Sequence, residues 1–116
     1  LMGHITYDLA SLLRDSYIVL KESLLEDLID YYLEKKRWMD GIAIDKPRFR
    51  KIFDLTSIQR NLKAAGRFVY ISKVKKNDIY LLYIPLTLNY VRNNLDKYDE
   101  LKGLKEIMGR YVKELN

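Results

Sequence analysis

Apolar residues recur at helical spacing along most of this chain, and that periodicity limits the folds open to it. The clearest row, between Leu24 and Leu33, has apolar residues at the i, i+1, i+4 and i+5 positions of one helix face. Similar rows predict helices over 6–16, 22–38 and 97–115, further helices opening at Pro47 and Pro85, and a loop over 39–45. The 116 residues suffice for one domain, and the predicted fold class is all-α.

The stretch 68–84 gives conflicting signals. Most residues over 68–71 and 79–84 are β-branched, aromatic or otherwise apolar, and the polar run 75–78 between them has the composition of a turn. Local propensity therefore favours a β-hairpin. On these residues alone, helix and hairpin both stay open.

Composition excludes several classes of function. The chain has no cysteine and one histidine, so we expect no disulfide framework, no metal site and no Ser-His-Asp triad. It contains no phosphate-binding glycine loop and no hydrolase or metalloprotease motif, and so no catalytic residues that we can assign. It also has neither an apolar run of about 20 residues nor a signal-peptide pattern. We therefore expect a cytoplasmic protein without a membrane partner.

The net charge of +5 is unevenly distributed. Residues 1–58 carry 9 basic and 10 acidic side chains, whereas residues 59–116 carry 12 basic and 6 acidic ones. Such asymmetry can indicate a nucleic-acid or anionic partner. A free-standing basic helical module that binds nucleic acid or protein is therefore an alternative interpretation. A solvated basic face explains the asymmetry more simply, so nucleic acid is not the partner we favour.

Three stretches carry a resemblance to a known family. They are YDLASLLRDSY at 7–17, FDLTSIQRNLKAAGRF at 53–68 and IPLTLNYV at 84–91. In this order and at this separation they resemble the C-terminal helical part of the aminoglycoside phosphotransferase-like kinases. The branch they resemble most is the bacterial amino-sugar kinases, which phosphorylate N-acetylmuramate and N-acetylglucosamine at the anomeric position. The resemblance spans roughly residues 3–95.

The resemblance implies a division of labour within a longer protein. The family's H-x-D-x-x-x-x-N loop, its D-F-Q metal motif and its nucleotide-binding lobe would precede residue 1. We therefore expect residues 1–116 to form a single helical subdomain, a C-terminal lobe fragment of a protein-kinase-like fold that is inactive in isolation. ATP and Mg²⁺ are implied for the parent protein alone, and the implied partners are the upstream lobe and an amino-sugar substrate. The resemblance also implies that residues 58–73 form a helix. It further implies that the parent protein takes part in cell-wall recycling, as the family does.

The resemblance also directs attention to five candidate residues. Arg14 and Asp15 in the first stretch, and Gln59 and Arg60 in the second, are the candidates for substrate binding. A guanidinium suits bidentate binding of a carboxylate, so Arg60 is a candidate for the lactyl carboxylate of N-acetylmuramate. Asp8 is the candidate structural anchor of the catalytic region. Exposed polar pairs and an acid in a first helical turn are the structural alternatives for these residues.

Overall fold

Helices make up the regular structure of the computed structural model, which describes residues 2–17 and 19–116, and no strand occurs within those ranges. The α-helices are α1 (Met2–Leu13), α2 (Glu22–Asp40), α3 (Lys46–Lys75), α4 (Ile84–Asp96) and α5 (Lys102–Gly109). Short 3₁₀ helices occupy Ile79–Tyr83, Asp99–Leu101 and Lys113–Leu115. The predicted all-α fold class is confirmed.

A first core forms where α1, α2 and the beginning of α3 meet. Its buried side chains are Ala10, Leu13, Leu25, Ile29, Phe49 and Phe53. The helix α2 ends near the predicted boundary because the chain turns at Gly41, whose N–H donates to the carbonyl of Arg37 at 2.8 Å. Gly41 has a φ of 69°, a left-handed conformation that favours glycine after a helix.

The helix α3 continues for 30 residues through the stretch in which local propensity favours a hairpin. Phe68 is 4% exposed, and its ring stacks on that of Tyr80 at a centroid distance of 5.8 Å. The rings of Tyr17 and Tyr83 also contact Phe68. Burial of this ring between neighbouring segments offsets a β-propensity difference of at most about 1 kcal/mol. The predicted helix over 58–73 is confirmed, and 79–83 is a 3₁₀ helix.

The predicted helix over 97–115 is wrong. Tyr98 has an extended backbone, α5 ends at Gly109, and the chain then turns back so that Leu115 is fully buried in the second core. A Cβ atom on Gly109 would lie 2.3 Å from Oδ1 of Asn116. That atom belongs to the exposed side chain of Asn116, so the contact shows that the chain returns close to Gly109 without requiring glycine there.

The second core joins α3 to α4 and to the C-terminal segments. Its buried side chains are Ile58, Ala65, Leu88, Val91, Leu95 and Leu115. Since α1 and α4 both pack on α3, this long helix is the central element of the fold. Within the described ranges, no helix combines the length and apolar character needed to cross a membrane.

Candidate functional site

A cleft lies between the end of α1 and the middle of α3, and it collects residues from both of the longer motif stretches. We call it the α1–α3 cleft. Its lining is Ser11, Arg14, Asp15, Ser16, Tyr17, Arg60, Asn61, Ala64, Arg67 and Phe68. The cavity has a volume of about 200 Å³, which is smaller than a typical pocket for a complete ligand. The cleft can therefore form one wall of a binding site.

Arg14 is held at the inner side of the cleft by an ion pair. Its side chain is 4% exposed, and its two terminal nitrogens donate to the Glu22 carboxylate at 2.6 and 3.2 Å. Its guanidinium also lies 5.1 Å from the ring centroid of Tyr90. The hydrogen bond from Arg14 lowers the pKa of Glu22. Because Glu22 neutralises it, Arg14 contributes geometry to the cleft more than net charge.

Asp15 organises the segment that follows α1. Its Oδ1 accepts the backbone N–H of Tyr17 at 2.7 Å, a local turn typical of aspartate. The ring of Tyr17 is thereby held against Tyr83 in an edge-on arrangement at 4.7 Å, while 52% of the residue stays exposed. Partial burial raises the pKa of Tyr17. A carboxylate and an exposed aromatic ring thus stand side by side at the cleft.

Two arginines of α3 supply the unneutralised positive charge. The guanidinium of Arg60 lies 4.8 Å from the ring centroid of Tyr7, which orients it. Arg67 lines the cleft about two turns further along α3. Neither arginine forms an ion pair with a described residue. With Asp15 as the opposing acid, the cleft carries a net charge near +1 and suits an anionic group.

Asn61 joins the two walls. It is 2% exposed, and its Nδ2 donates to the backbone carbonyl of Arg14 at 3.3 Å. Its Oδ1 has no hydrogen-bond partner among the described residues. Buried polar atoms usually have a partner, so this acceptor is notable beside a cleft. No role was predicted from the sequence for Asn61, Tyr17 or Arg67, because their place at the cleft depends on how the end of α1 packs on α3.

The other two candidates lie outside the cleft. Gln59 is exposed on α3 and Asp8 is exposed on α1, and neither belongs to the cleft lining. Their assigned roles in substrate binding and in anchoring the catalytic region stay predictions. The structure thus brings together Arg14, Asp15 and Arg60 and places Gln59 and Asp8 elsewhere.

Asp54, a buried acid that was not predicted from the sequence, connects several side chains behind the cleft. Asp54 is fully buried, and it accepts hydrogen bonds from the Tyr98 hydroxyl at 2.7 Å and from Nε of Arg50 at 3.2 Å. Nζ of Lys97 lies 3.5 Å from both of its oxygens, and burial lowers the pKa of this lysine. Arg50 also binds Glu26 of α2. An acid on the buried row of α3, four residues after an arginine, was the sequence signal for this network.

The described residues offer no obvious metal site. Among them, no three histidine or acidic side chains converge on a point where they could bind a metal ion together. That ATP and Mg²⁺ are used by a parent protein stays a prediction.

Comparison with known proteins gives three relatives of the same kind. No protein-family model and no solved structure matches the chain. It is 37% identical over 114 residues to an N-acetylmuramate/N-acetylglucosamine kinase of Neisseria meningitidis, covering 97% of the chain and 34% of that protein. Proteins with the same name from Pseudomonas aeruginosa and Pseudomonas putida are 28% and 25% identical, and the matches cover 93% and 91% of the chain.

The extent of these matches is as informative as their identity. The chain spans about a third of the length of the curated relatives it matches, since the matches cover 32% of each Pseudomonas protein as well. Nearly all of the chain is matched in each case. The resemblance found in the motifs is therefore confirmed: this chain is similar, over almost its whole length, to about a third of the N-acetylmuramate/N-acetylglucosamine kinases, consistent with a C-terminal portion of one.

Proposed function

We propose that this chain is the helical portion of an ATP-dependent amino-sugar phosphotransferase and that the α1–α3 cleft forms part of its sugar-binding wall. The observation that carries the proposal is the meeting of Arg14, Asp15 and Arg60 at one cleft, although 45 residues separate Asp15 from Arg60 in the sequence. The names of the three relatives indicate the substrate class.

The cleft residues have chemistry suited to an acidic amino sugar. Arg60 and Arg67 have no anionic partner among the described residues, so they are available to bind a carboxylate such as the lactyl group of N-acetylmuramate. Asp15 has one oxygen engaged by Tyr17 and a second oxygen able to accept a sugar hydroxyl. The exposed ring of Tyr17 offers an apolar face on which a sugar ring can pack.

The transfer step itself requires groups that we assign to the rest of the parent protein. In this class of reaction an aspartate orients the attacking hydroxyl, while an asparagine and an aspartate hold magnesium. We place these groups in an H-x-D-x-x-x-x-N loop and a D-F-Q motif ahead of residue 1, in the same polypeptide. The residues of this chain would bind and orient the sugar, and the isolated chain would be inactive.

The first experiment is to read the coding sequence immediately upstream of Leu1. A continuous frame that contains both motifs would support the proposal, and phosphorylation of N-acetylmuramate by the full polypeptide would be assayed next. A start codon or an in-frame stop directly before the chain would remove the catalytic half and overturn the proposal. Nucleic-acid binding that weakens steeply with salt would then favour a basic binding module.

A substitution at Arg60 tests the cleft itself. In the full polypeptide, Arg60→Ala should raise KM for N-acetylmuramate by about tenfold or more, the range for loss of a hydrogen bond between charged groups. KM for N-acetylglucosamine, which has no carboxylate, should change much less. Lys63→Ala is the matched control, because Lys63 is an exposed cation one turn away on α3 and lies outside the cleft. Equal effects of Arg60→Ala on both sugars would remove the carboxylate role.

A further inference from the structure

A second cavity adjoins Arg14, where the end of α1, the first residue of α2 and the C-terminal half of α4 meet. We call it the α4 cavity. Its volume is about 210 Å³, and its lining is Arg14, Glu22, Tyr90, Asn93, Asn94 and Lys97. One water molecule occupies about 30 Å³ in the liquid, whereas a pocket for a drug-sized ligand has about 300 Å³ or more. The α4 cavity therefore has the size for a small molecule or ion.

Three buried polar atoms of this lining have no hydrogen-bond partner among the described residues. They are Nε of Arg14, the hydroxyl of Tyr90 and Nδ2 of Asn94, and these residues are 5%, 7% and 1% exposed. Buried polar atoms usually have a partner, and an unpaired one destabilises the fold. Three of them in the lining of one cavity are the pattern expected of a site for a polar ligand.

All three unpartnered groups can donate a hydrogen bond. The nitrogens of Arg14 and Asn94 are donors only. Burial raises the pKa of Tyr90, so its hydroxyl keeps its proton at neutral pH. The terminal nitrogens of Arg14 donate to Glu22, which leaves the Nε edge of the guanidinium without a partner. A complementary ligand must therefore supply several acceptor atoms close together.

Lys97 adds an accessible cation to the lining. Its side chain is 36% exposed, and its Nζ contacts the Asp54 oxygens at the long distance of 3.5 Å. An ammonium group has three donors, so Lys97 can bind a ligand without leaving Asp54. The lining contains two cations and one acid, Glu22, whose two oxygens already accept from Arg14. Its net charge is therefore near +1, which favours an anion.

We propose that the α4 cavity binds a small oxyanion, a phosphate or a carboxylate, through Lys97 and the three unpartnered donors. The three donor atoms are closed to bulk water, so binding requires small rotations of the side chains that carry them. The cavity is distinct from the α1–α3 cleft, although Arg14 lines both. This inference does not rest on the proposed function, because it needs neither a sugar nor a transfer step.

Titration of the full polypeptide with inorganic phosphate and, separately, with acetate tests the proposal. Isothermal titration calorimetry at constant ionic strength should show saturable binding of at least one anion, with a Kd on the order of 1 mM. The anion that binds more tightly identifies the chemical source, phosphate or carboxylate. A crystal structure with that anion should place its oxygens within hydrogen-bond distance of the Tyr90 hydroxyl and Nδ2 of Asn94.

The variant Tyr90→Phe assigns the binding to this cavity. It removes one oxygen atom that has no partner in the fold, so Tm without added anion should stay equal or rise. The Kd should rise at least tenfold, the effect of losing a hydrogen bond to a charged group. Tyr111→Phe is the matched control, because Tyr111 is 86% exposed and lies outside the cavity; its Kd should stay unchanged.

Four results would overturn the proposal. They are the absence of saturable binding for both anions, an equal Kd in Tyr90→Phe and the wild type, a crystal structure with ordered water alone in the cavity, and a lower Tm of Tyr90→Phe without anion. The last result would show that the hydroxyl has a partner in the fold. Sugar phosphorylation is not a readout in any of these measurements, so failure of the proposed function would leave this test unchanged.

Discussion

Removal of the Tyr98 hydroxyl is the sharpest perturbation of the framework behind the cleft. The substitution Tyr98→Phe removes one oxygen atom and keeps the ring, including its contact with the Lys51 ammonium at 5.7 Å. What is lost is the 2.7 Å hydrogen bond to Oδ2 of the fully buried Asp54. That oxygen then keeps only Nζ of Lys97, at 3.5 Å. The substitution therefore isolates a single interaction.

The expected destabilisation follows from the charge of the acceptor. A hydrogen bond to a charged group contributes about 1.5–3 kcal/mol, about twice the contribution of a neutral one. The free energy of unfolding should fall by that amount, and Tm by about 6–12 °C, at about 4 °C per kcal/mol for a chain of this size. A carboxylate with no access to water cannot replace the lost donor, so a value at the lower end requires Lys97 to move closer.

Urea unfolding monitored by circular dichroism measures this change, with Tyr111→Phe as the control for loss of an exposed hydroxyl. The effect of Tyr98→Phe should shrink to about 1 kcal/mol in an Asp54→Asn background, where the acceptor is a neutral amide. A loss below about 0.5 kcal/mol in the wild-type background, or equal losses in both backgrounds, would refute the assignment. Burial and the bond to Asp54 raise the pKa of Tyr98, so its stabilisation is complete below pH 10 and is lost as the pH rises further.

Two further predictions concern α2 and its neighbours. The pKa of Glu22 is lowered from 4.5 by the hydrogen bond from Arg14, so its stabilisation is present above pH 4.5 and is lost as the pH falls through the lowered value; acid titration of stability should be flatter in Glu22→Gln. Gly41→Ala should lower the free energy of unfolding by about 1 kcal/mol because φ is 69°. Gly66→Ala should raise it by about 0.5–1 kcal/mol, because this position lies within α3 and a Cβ there meets nothing within 4 Å. Thermal unfolding of the two variants measures both changes, and a change in the same direction for both would contradict this reasoning.

The sequence predicted the elements with strong helical periodicity and failed where distant contacts decide the backbone. The row over 24–33 and the turn at Gly41 are local signals, and both describe α2 correctly. For 68–75 the residues alone left helix and hairpin open, because the ring contacts of Phe68 with Tyr80 and Tyr83 are invisible to local propensity. The chain reversal after Gly109 depends on the burial of Leu115, and no local sequence pattern predicts that burial.

The candidate site shows the same division. Arg14, Asp15 and Arg60 could be selected because residue type and motif position were enough. Tyr17 and Arg67 could not be selected, because their place at the cleft depends on the angle between the 14–17 segment and α3. Asp54 was hidden for another reason: a single acid in an apolar row is ordinary in a sequence. Its significance comes from Arg50 one turn earlier on α3 together with two donors that follow α4, Lys97 and Tyr98.

The charge of the α1–α3 cleft is set by a helix that contributes nothing to its lining. Glu22, at the first residue of α2, neutralises Arg14, and Arg50 is occupied by Asp54 and by Glu26 of α2. These cations are therefore held by the framework, which leaves Arg60 and Arg67 as the cations available to a ligand. Replacement of Glu22 alone would free a third positive charge without touching the cleft. The ionic network thus links α2 to α1 and α3 and also limits the positive charge that the cleft presents.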